Sequence, residues 1–316
     1  MRSPPRLLTR ATDVEGQLRA RFPTHNVQRV PAAAQRIALQ AQRALELELA
    51  TFPKPGLVSH RDSGSHDDMD ASTFQASILV LVPFFAELAG AGSKLAPMET
   101  LRAIGLRAEA AMMRATGGVN THRGAIFGIG LLCAAAGAQM GESIAAKFKG
   151  AVRRNSLGLT VREVWGPAIN SDASETGSNG SQAFWRYGAG GARSEAAAGF
   201  PSVYRAGLPG LRLGRKLSNG DEEAARVQAC FALVGAVEDT NLLHRGGEDG
   251  ARYARNIANR FLAHGGVGSP FWKRDAAAIH HDFVMRRLSP GGCADLLSMT
   301  LLVDALGRER QHGANA

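Results

Sequence analysis

Apolar residues recur every three or four positions along most of this chain, and this pattern restricts the fold more than any other feature. In residues 31–51 they follow a proline, and the pattern ends at the Phe-Pro-Lys-Pro-Gly run that starts at Phe52. Similar patterns bounded by Gly, Pro and Asn predict further helices. Their ranges are 73–90, 98–115, 122–138, 142–154, 193–198, 221–243, 249–264, 271–288 and 292–306. We find no convincing strand pair, so the chain is predicted to be all-α.

Composition supports helices packed through small residues. Hydrophobic residues make up 45% of the chain but aromatic residues only 6%, which favours helices over a β-sandwich. Glycines at 124, 128 and 130 predict close helix contacts. We expect one bundle-like catalytic domain over residues 31–310, with a partly irregular insertion at 170–220. Residues 1–30 hold six arginines and are expected to form a flexible, solvated basic arm.

Charge and cysteine usage limit the possible partners and the compartment. Lys plus Arg exceed Asp plus Glu by 37 − 28 = 9, which suits an anionic partner. Cys133, Cys230 and Cys293 have no CxxC spacing, so we expect reduced, buried thiols rather than disulfides or a zinc site. The longest apolar run, residues 78–85, is too short for a bilayer, and no signal-peptide core is present. We therefore expect a soluble, cytoplasmic protein that has no membrane partner.

The densest group of titratable residues lies in one connection between helices, KPGLVSHRDSGSHDDMD, which ends at Asp70. Its candidate functional residues are Lys54, His60, His66, Asp67, Asp68 and Asp70. Converging carboxylates bind Mg²⁺ through oxygen, and if a helix begins here, His66 and Asp70 share one face. The alternative is a solvated loop whose aspartates cap the next helix. Residues 72–75 match a capping box for that helix.

Further motifs place polar residues at predicted helix ends. TGGVNTHRGA joins two helices, EDTNLLHRGG lies near a predicted helix C-terminus, and SPGGCAD begins a helix. GAGGAR resembles a phosphate-cradling loop but lacks the Lys-Ser/Thr of a P-loop. Helix N-termini bind anions, although capping alone also explains these residue types. The candidates are Asn120, His122, Arg123, Arg193, Asp239, His244, Arg245, Ser289, Gly291, Gly292 and Asp295.

Five ordered motifs together resemble one family. KPGLVSHRDSGSHDDMD, TGGVNTHRGAIF, GARSEAAAGFPSV, DTNLLHRGG and SPGGCADLL are similar to triphosphoribosyl-dephospho-CoA synthases, which are associated with citrate lyase or malonate decarboxylase. The sequence of the third motif, GARSEAAAGFPSVY, favours the malonate decarboxylase branch. The resemblance implies an all-helical enzyme that converts ATP and 3'-dephospho-CoA into 2'-(5''-triphosphoribosyl)-3'-dephospho-CoA and adenine. It also implies that the product is a prosthetic-group precursor, handed over to a transferase that loads an acyl-carrier subunit.

This chemistry suggests roles for the candidate residues. Such a site needs Mg²⁺ and cations that hold an uncleaved triphosphate, and a base for the attacking hydroxyl. We predict that Asp67, Asp70, Asp239 and Asp295 surround Mg²⁺, and that Asp68 or His66 is the base. The predicted substrate-binding residues are Lys54, His60, Asn120, His122, Arg123, Arg193, His244, Arg245, Ser289, Gly291 and Gly292.

Two other functions stay open on the residues alone. One is a Mg²⁺-dependent hydrolase of nucleotide or ADP-ribose-like N-glycosidic bonds. The other is a non-catalytic basic protein that binds RNA or a carrier protein, against which the clustered acids argue. Nucleic acid is therefore not an expected partner. Adenine release that requires dephospho-CoA would separate the transferase from both.

Overall fold

Helices account for nearly all the regular structure in the computed structural model, which describes residues 31–140, 156–171 and 191–314. No strand occurs in these ranges, and the all-α prediction is confirmed. The described helices are α1 (Ala32–Ala50), α2 (Ala71–Ser93), α3 (Met98–Ala115), α4 (Arg123–Met140), α5 (Leu157–Val164), α6 (Gly166–Ser171), α7 (Gly191–Ala197), α8 (Leu208–Leu217), α9 (Glu222–Ala236), α10 (Thr240–Ala263), α11 (Trp272–Met285) and α12 (Gly291–Ala314). A π-helical turn, Val203–Gly207, precedes α8, and a 3-10 turn, Gly266–Gly268, follows α10.

Helices α2 and α4 form the centre of the fold, and α1, α3 and α12 pack around them. Glycines allow α2 and α4 to approach closely. A Cβ on Gly92 of α2 would clash with the Ala134 carbonyl of α4, and one on Gly137 would clash with the Ala89 carbonyl. Gly124 and the glycine at 128 similarly face side chains of α12, as the sequence predicted. Small residues therefore set the spacing of the core helices.

All the described helices lie in one compact unit, Pro31–Ala316. The predicted basic arm and the predicted helix at 142–154 lie outside the described residues, as do residues 172–190 of the predicted insertion. All three cysteines are free and buried, as predicted.

Several stretches differ from the predicted helices, and α5 and α6 lie where no helix was predicted. Residues 208–217, expected within an irregular insertion, form α8, because Pro209 occupies the first turn and Gly210 and Gly214 pack against α9. Residues 221–243, predicted as one helix, break at Val237, and α10 starts after Asp239, which caps it. The motif that contains Asp239 therefore begins a helix rather than ending one.

Residues 66–70 precede α2, so the observed structure matches the alternative of a loop whose aspartate caps the next helix. Asp70 is the N-cap, and its carboxylate accepts hydrogen bonds from the Thr73 backbone at 2.9 Å and from the Ser72 hydroxyl at 2.6 Å. The capping box is formed by Asp70 and Thr73, rather than by the residues at 72 and 75. His66 and Asp70 consequently do not share a helix face.

Helices α2 and α4 are long and apolar enough to cross a membrane by length and composition. The core helices of soluble proteins pass the same test. The most apolar stretch of α4 is 78% buried inside the protein and that of α2 is 39% buried, so this is weak evidence for a membrane span.

Candidate active site

A cleft of about 1160 Å³ opens where the loop before α2 meets the starts of α4, α7, α10 and α12. Residues from all five sequence motifs line it. The predicted site residues at its wall are His66, Asp68, Asn120, His122, Arg123, Arg193, Asp239, His244, Arg245, Ser289, Gly291, Gly292 and Asp295. Lys54, His60, Asp67 and Asp70 do not line the cleft. The fold thus brings together residues that lie more than 200 positions apart.

A buried ion pair between Lys54 and Glu48 attaches the loop before α2 to α1. The Lys54 ammonium donates to the backbone carbonyl of Glu48 at 2.7 Å and to the Glu48 carboxylate, and both residues are buried. His280 of α11 hydrogen-bonds the Lys54 carbonyl at 2.6 Å. Since Glu48 lines the cleft and Lys54 does not, Lys54 neutralises a carboxylate beneath the site, and its ammonium does not face a phosphate.

His66 links this loop to the start of α12. The Arg245 guanidinium lies 3.1 Å from Nδ1, and the Ser289 hydroxyl lies 2.9 Å from Nε2. Because Arg245 can only donate, we assign Nδ1 as the acceptor and Nε2 as the donor to Ser289. Burial, then the charge of Arg245, lowers the pKa of His66. In this arrangement a neutral His66 orients Ser289, and neither ring nitrogen is free to act as a base.

The neighbouring carboxylates occupy different environments. Asp68 lines the cleft, with a carboxylate oxygen 3.7 Å from His66 Nδ1. The side chain of Asp67 is 88% exposed and lies beside Arg287. The exposed Asp70 carboxylate caps α2, and its hydrogen bonds lower its pKa to about 2. Only Asp68 of these three is placed to meet a ligand in the cleft.

Two further carboxylates lie at the base of the cleft. Asp239 is buried, and its oxygens accept the backbone N–H groups of Asn241 at 2.8 Å and Cys293 at 2.8 Å. Burial raises the pKa of Asp239 despite these bonds. Asp295 is partly exposed to the cleft, and enclosure by protein, then the charges of Glu48 and Asp239, raises its pKa well above the usual range. These acids repel one another, which favours a cation between them and a substrate.

The start of α12 completes this side of the cleft. The helix begins at Gly291, directly after Ser289 and Pro290 and one residue before the start of the predicted range. A Cβ on Gly291 would lie 3.0 Å from the Asn241 amide, and a Cβ on Gly292 would lie 3.0 Å from the Asp239 carboxylate. The glycines therefore let α10 and α12 start side by side. The first-turn N–H groups of α12 lie near the cleft, and that of Cys293 already donates to Asp239.

The start of α4 carries a cap, a cation and a neutral histidine. The Asn120 side chain accepts the Arg123 backbone N–H at 3.1 Å, as expected of a cap, and the Arg123 guanidinium pairs with Glu109. His122 is buried, and its Nδ1 lies 2.7 Å from the Ser77 hydroxyl. Burial, then the charge of a nearby lysine, lowers the pKa of His122 to about 3. It is therefore uncharged at neutral pH and cannot attract phosphate as a cation.

Arg193, His244 and Arg245 add positive or donor groups to the lining of the cleft. Arg245 is held in place by the Ser65 carbonyl at 3.0 Å and the Arg287 carbonyl at 3.3 Å. These bonds fix the direction of the guanidinium at the cleft edge.

The cleft is also lined by residues that were not predicted from the sequence, among them Glu48, Thr121 and Glu195. Glu48 occupies the buried face of α1, three positions after Leu45, and a charge at such a core position is a detectable signal. Glu195 lies within a quoted motif, where it accepts the Ser202 backbone N–H at 2.7 Å and hydroxyl at 3.0 Å. Burial raises the pKa of Glu195. Nothing in the local sequence separates Thr121 from an ordinary capping residue.

The described residues contain no group of three or more His, Cys, Asp or Glu side chains placed to hold a metal ion. The predicted four-aspartate Mg²⁺ site is not assembled, because only Asp239 and Asp295 of that set reach the cleft.

Taken together, these features define an all-α enzyme whose cleft combines fixed cations, a helix N-terminus and enclosed carboxylates. The model of the CitG family, ATP:dephospho-CoA triphosphoribosyl transferase, matches residues 34–313. The chain belongs to that family and is a transferase, which confirms the resemblance inferred from its motifs.

Similar proteins carry names that agree with this assignment. The chain is 39% identical over 281 residues to the probable 2-(5''-triphosphoribosyl)-3'-dephosphocoenzyme-A synthase of Stutzerimonas stutzeri (strain A1501), covering 87% of this chain and 93% of that protein. It is 38% identical over 284 residues to the 2-(5''-triphosphoribosyl)-3'-dephosphocoenzyme-A synthase of Klebsiella pneumoniae, covering 87% and 92%. The synthase of Pectobacterium atrosepticum is 37% identical over 272 residues, covering 82% and 85%. No solved structure matches the chain.

Proposed function

We propose that this cleft transfers the 5-triphosphoribosyl group of ATP to the 2'-hydroxyl of 3'-dephospho-CoA and releases adenine. The observation that carries the proposal is the convergence of all five motifs on one cleft. Family membership supports the same reaction, because the relatives that match most of the chain are synthases of this product by name.

The reaction exchanges one bond at the anomeric carbon of ATP's ribose. The bond to adenine N9 breaks, and its electron pair leaves with the purine. The 2'-oxygen of dephospho-CoA forms the new bond, and the proton that it loses equals the proton that N9 gains, so charge balances. The transition state resembles an oxocarbenium ion, as in glycoside transfer.

Asp68 is our candidate for the base that receives the hydroxyl proton. It lies at the cleft wall, whereas the Nε2 atom of His66 is occupied as a donor to Ser289. His66 then acts by directing Ser289, whose hydroxyl hydrogen is left to donate to a substrate oxygen.

The triphosphate is held at the side of the cleft where α10 and α12 begin. Arg245 and His244 offer donors there, and the N–H groups at Gly291 and Gly292 offer the partial positive charge of a helix start. Arg193 of α7 also lines the cleft. Such contacts position the phosphates without cleaving them.

The enclosed acids fit a divalent cation that accompanies the triphosphate. Mg²⁺ commonly uses one or two protein carboxylates and completes its shell with water and phosphate oxygens, so a three-ligand cluster is not required. Asp295 is the first candidate for a ligand of this cation. Its ionised form is favoured within the protein by a single backbone N–H, that of Ala125, and is opposed by the nearby carboxylates of Glu48 and Asp239, so a cation would offset that repulsion. When bound, the cation would neutralise charge on the triphosphate, and Asp239 would support it from the start of α10.

On the basis of the motif GARSEAAAGFPSVY, we propose that the product is the prosthetic-group precursor of malonate decarboxylase rather than of citrate lyase. In that context the enzyme works in the cytoplasm, and a separate transferase attaches the product to an acyl-carrier subunit. Incubating the product with each carrier and its transferase, and weighing the carriers, distinguishes the two contexts.

The test of the main proposal is to mix the protein with MgATP and 3'-dephospho-CoA and to identify the products by mass. We expect one adenine for each triphosphoribosyl-dephospho-CoA formed, and no adenine without dephospho-CoA. Release of adenine from ATP alone would instead support an N-glycosidic hydrolase. Asp68→Asn is expected to lower the rate by about 10²-fold or more, whereas Asp67→Asn serves as a matched control.

A further inference from the structure

Two buried side-chain atoms in the described part of the chain lack a hydrogen-bond partner, Thr121 Oγ1 and His122 Nε2. They belong to consecutive residues at the start of α4, and both residues line the cleft. An unpaired buried polar group costs roughly 1–3 kcal/mol, so such groups are rare in native proteins. Two adjacent ones at a cleft wall indicate a ligand that pairs with both.

The contact of His122 Nδ1 decides whether Nε2 carries the ring proton. Ser77 is fully buried, and His122 Nδ1, at 2.7 Å, is the only hydrogen-bond partner shown for its hydroxyl among the described residues. The hydroxyl hydrogen needs an acceptor, so we assign Nδ1 as that acceptor and place the ring proton on Nε2. His122 then presents an N–H donor, while the neighbouring Thr121 hydroxyl can accept.

The surroundings of this pair suit a flat aromatic ring. Phe74 packs edge-on against His122 with ring centroids 4.8 Å apart and an interplanar angle of 73°. Phe74 and Phe127 are both partly exposed and line the same cleft. Aromatic side chains of this kind provide apolar contact area for a nucleobase.

One edge of adenine has the complementary pattern. Its N7 accepts and its 6-amino group donates, whereas guanine presents two acceptors, N7 and O6. We propose that Thr121 and His122 hold the departing adenine of ATP by this edge, with His122 Nε2–H donating to N7 and Thr121 Oγ1 accepting from the 6-amino group.

This assignment rests on the proposed transferase function and makes His122 a catalytic residue. As the bond between the anomeric carbon and N9 breaks, the electron pair that enters the purine makes N7 a stronger acceptor. A donor aimed at N7 therefore stabilises the transition state more than the bound substrate.

The experiment compares ATP, 7-deaza-ATP and the triphosphate of purine riboside, which lacks the 6-amino group. Each is tested with wild-type protein, His122→Asn, His122→Gln and Thr121→Val, with dephospho-CoA unmodified. His122→Asn keeps a polar group near Ser77 but loses the Nε2 donor, while His122→Gln can place an amide N–H near the Nε2 position. Product formation is followed by mass, and the ratio of kcat/KM for two nucleotides within one variant does not depend on the fraction of folded protein.

For each protein we compare kcat/KM with ATP and kcat/KM with 7-deaza-ATP. We expect the ratio of these two values to be about 5- to 150-fold larger for the wild type than for His122→Asn. His122→Gln should recover part of the dependence on N7. Loss of the 6-amino group should affect Thr121→Val less than the wild type. Equal losses in the wild type and the matched variant overturn the inference while leaving the transferase function intact. If the wild type forms no product from ATP itself, the proposed function fails instead.

Discussion

The buried, uncharged state of His122 leads to a quantitative prediction about stability and pH. In the folded protein its pKa is about 3, against 6.5 for an unperturbed histidine. Between these values the unfolded chain binds a proton that the folded protein excludes, so the free energy of unfolding falls as pH falls. The stabilisation is fully present above pH 6.5 and is lost progressively as pH drops from about 6.5 towards 3.

The magnitude at pH 5 follows from the difference in proton binding. At pH 5, which is about 1.5 units below the pKa of the unfolded histidine, protonation stabilises the unfolded chain by about 2 kcal/mol. The imidazole of the folded protein is still neutral at this pH, so the free energy of unfolding falls by the same amount. At pH 7.5 the same effect is close to zero. In His122→Asn this contribution is absent, whereas the raised pKa values of Asp239 and Asp295 affect both proteins alike.

The assay is urea denaturation at pH 5 and pH 7.5, followed by far-UV circular dichroism at constant ionic strength. We expect the wild type to lose about 2 kcal/mol more than His122→Asn between the two pH values. Unfolding free energies that change in parallel for the two proteins would refute the neutral, buried state of His122. A larger loss in the variant would reverse the sign and refute it as well.

Three further outcomes follow from the packing. Lys54→Met should destabilise the protein by about 3–5 kcal/mol in urea denaturation, because it leaves the Glu48 carboxylate buried without a partner, and adding Glu48→Gln should recover part of that loss. Gly92→Ala should lower stability by about 1–3 kcal/mol because its Cβ meets the backbone of α4, whereas Gly90→Ala, which meets nothing within 4 Å, should be neutral or stabilising; equal effects would contradict the close helix approach. Asp70→Ala should lower the unfolding midpoint through loss of the cap but retain adenine release; a rate loss above about tenfold would restore a metal-binding role for Asp70.

Local sequence patterns predicted most of the described helices because their causes are local. A periodic apolar face, a proline at the start and glycines at the end act within a few residues of one another. Residues 98–115 were predicted with the observed bounds, and α1 differs by one residue at each end. Helix α8 was missed because Gly210 and Gly214 resemble helix breakers, while their actual role is to admit the neighbouring helix α9. That role depends on a contact that local sequence does not contain.

The same distinction applies to the site. The sequence alone identified the five motifs, the family and half of the polar residues that line the cleft, because these residue types stand out against an apolar helical background. Which of them meet was decided by the tertiary structure. Lys54 and Asp70 satisfy local or buried partners, whereas Asp239 and Asp295 converge because α10 and α12 start side by side. The charge of His122 was likewise beyond the sequence, because burial among distant helices, and not its neighbours in the chain, sets its pKa.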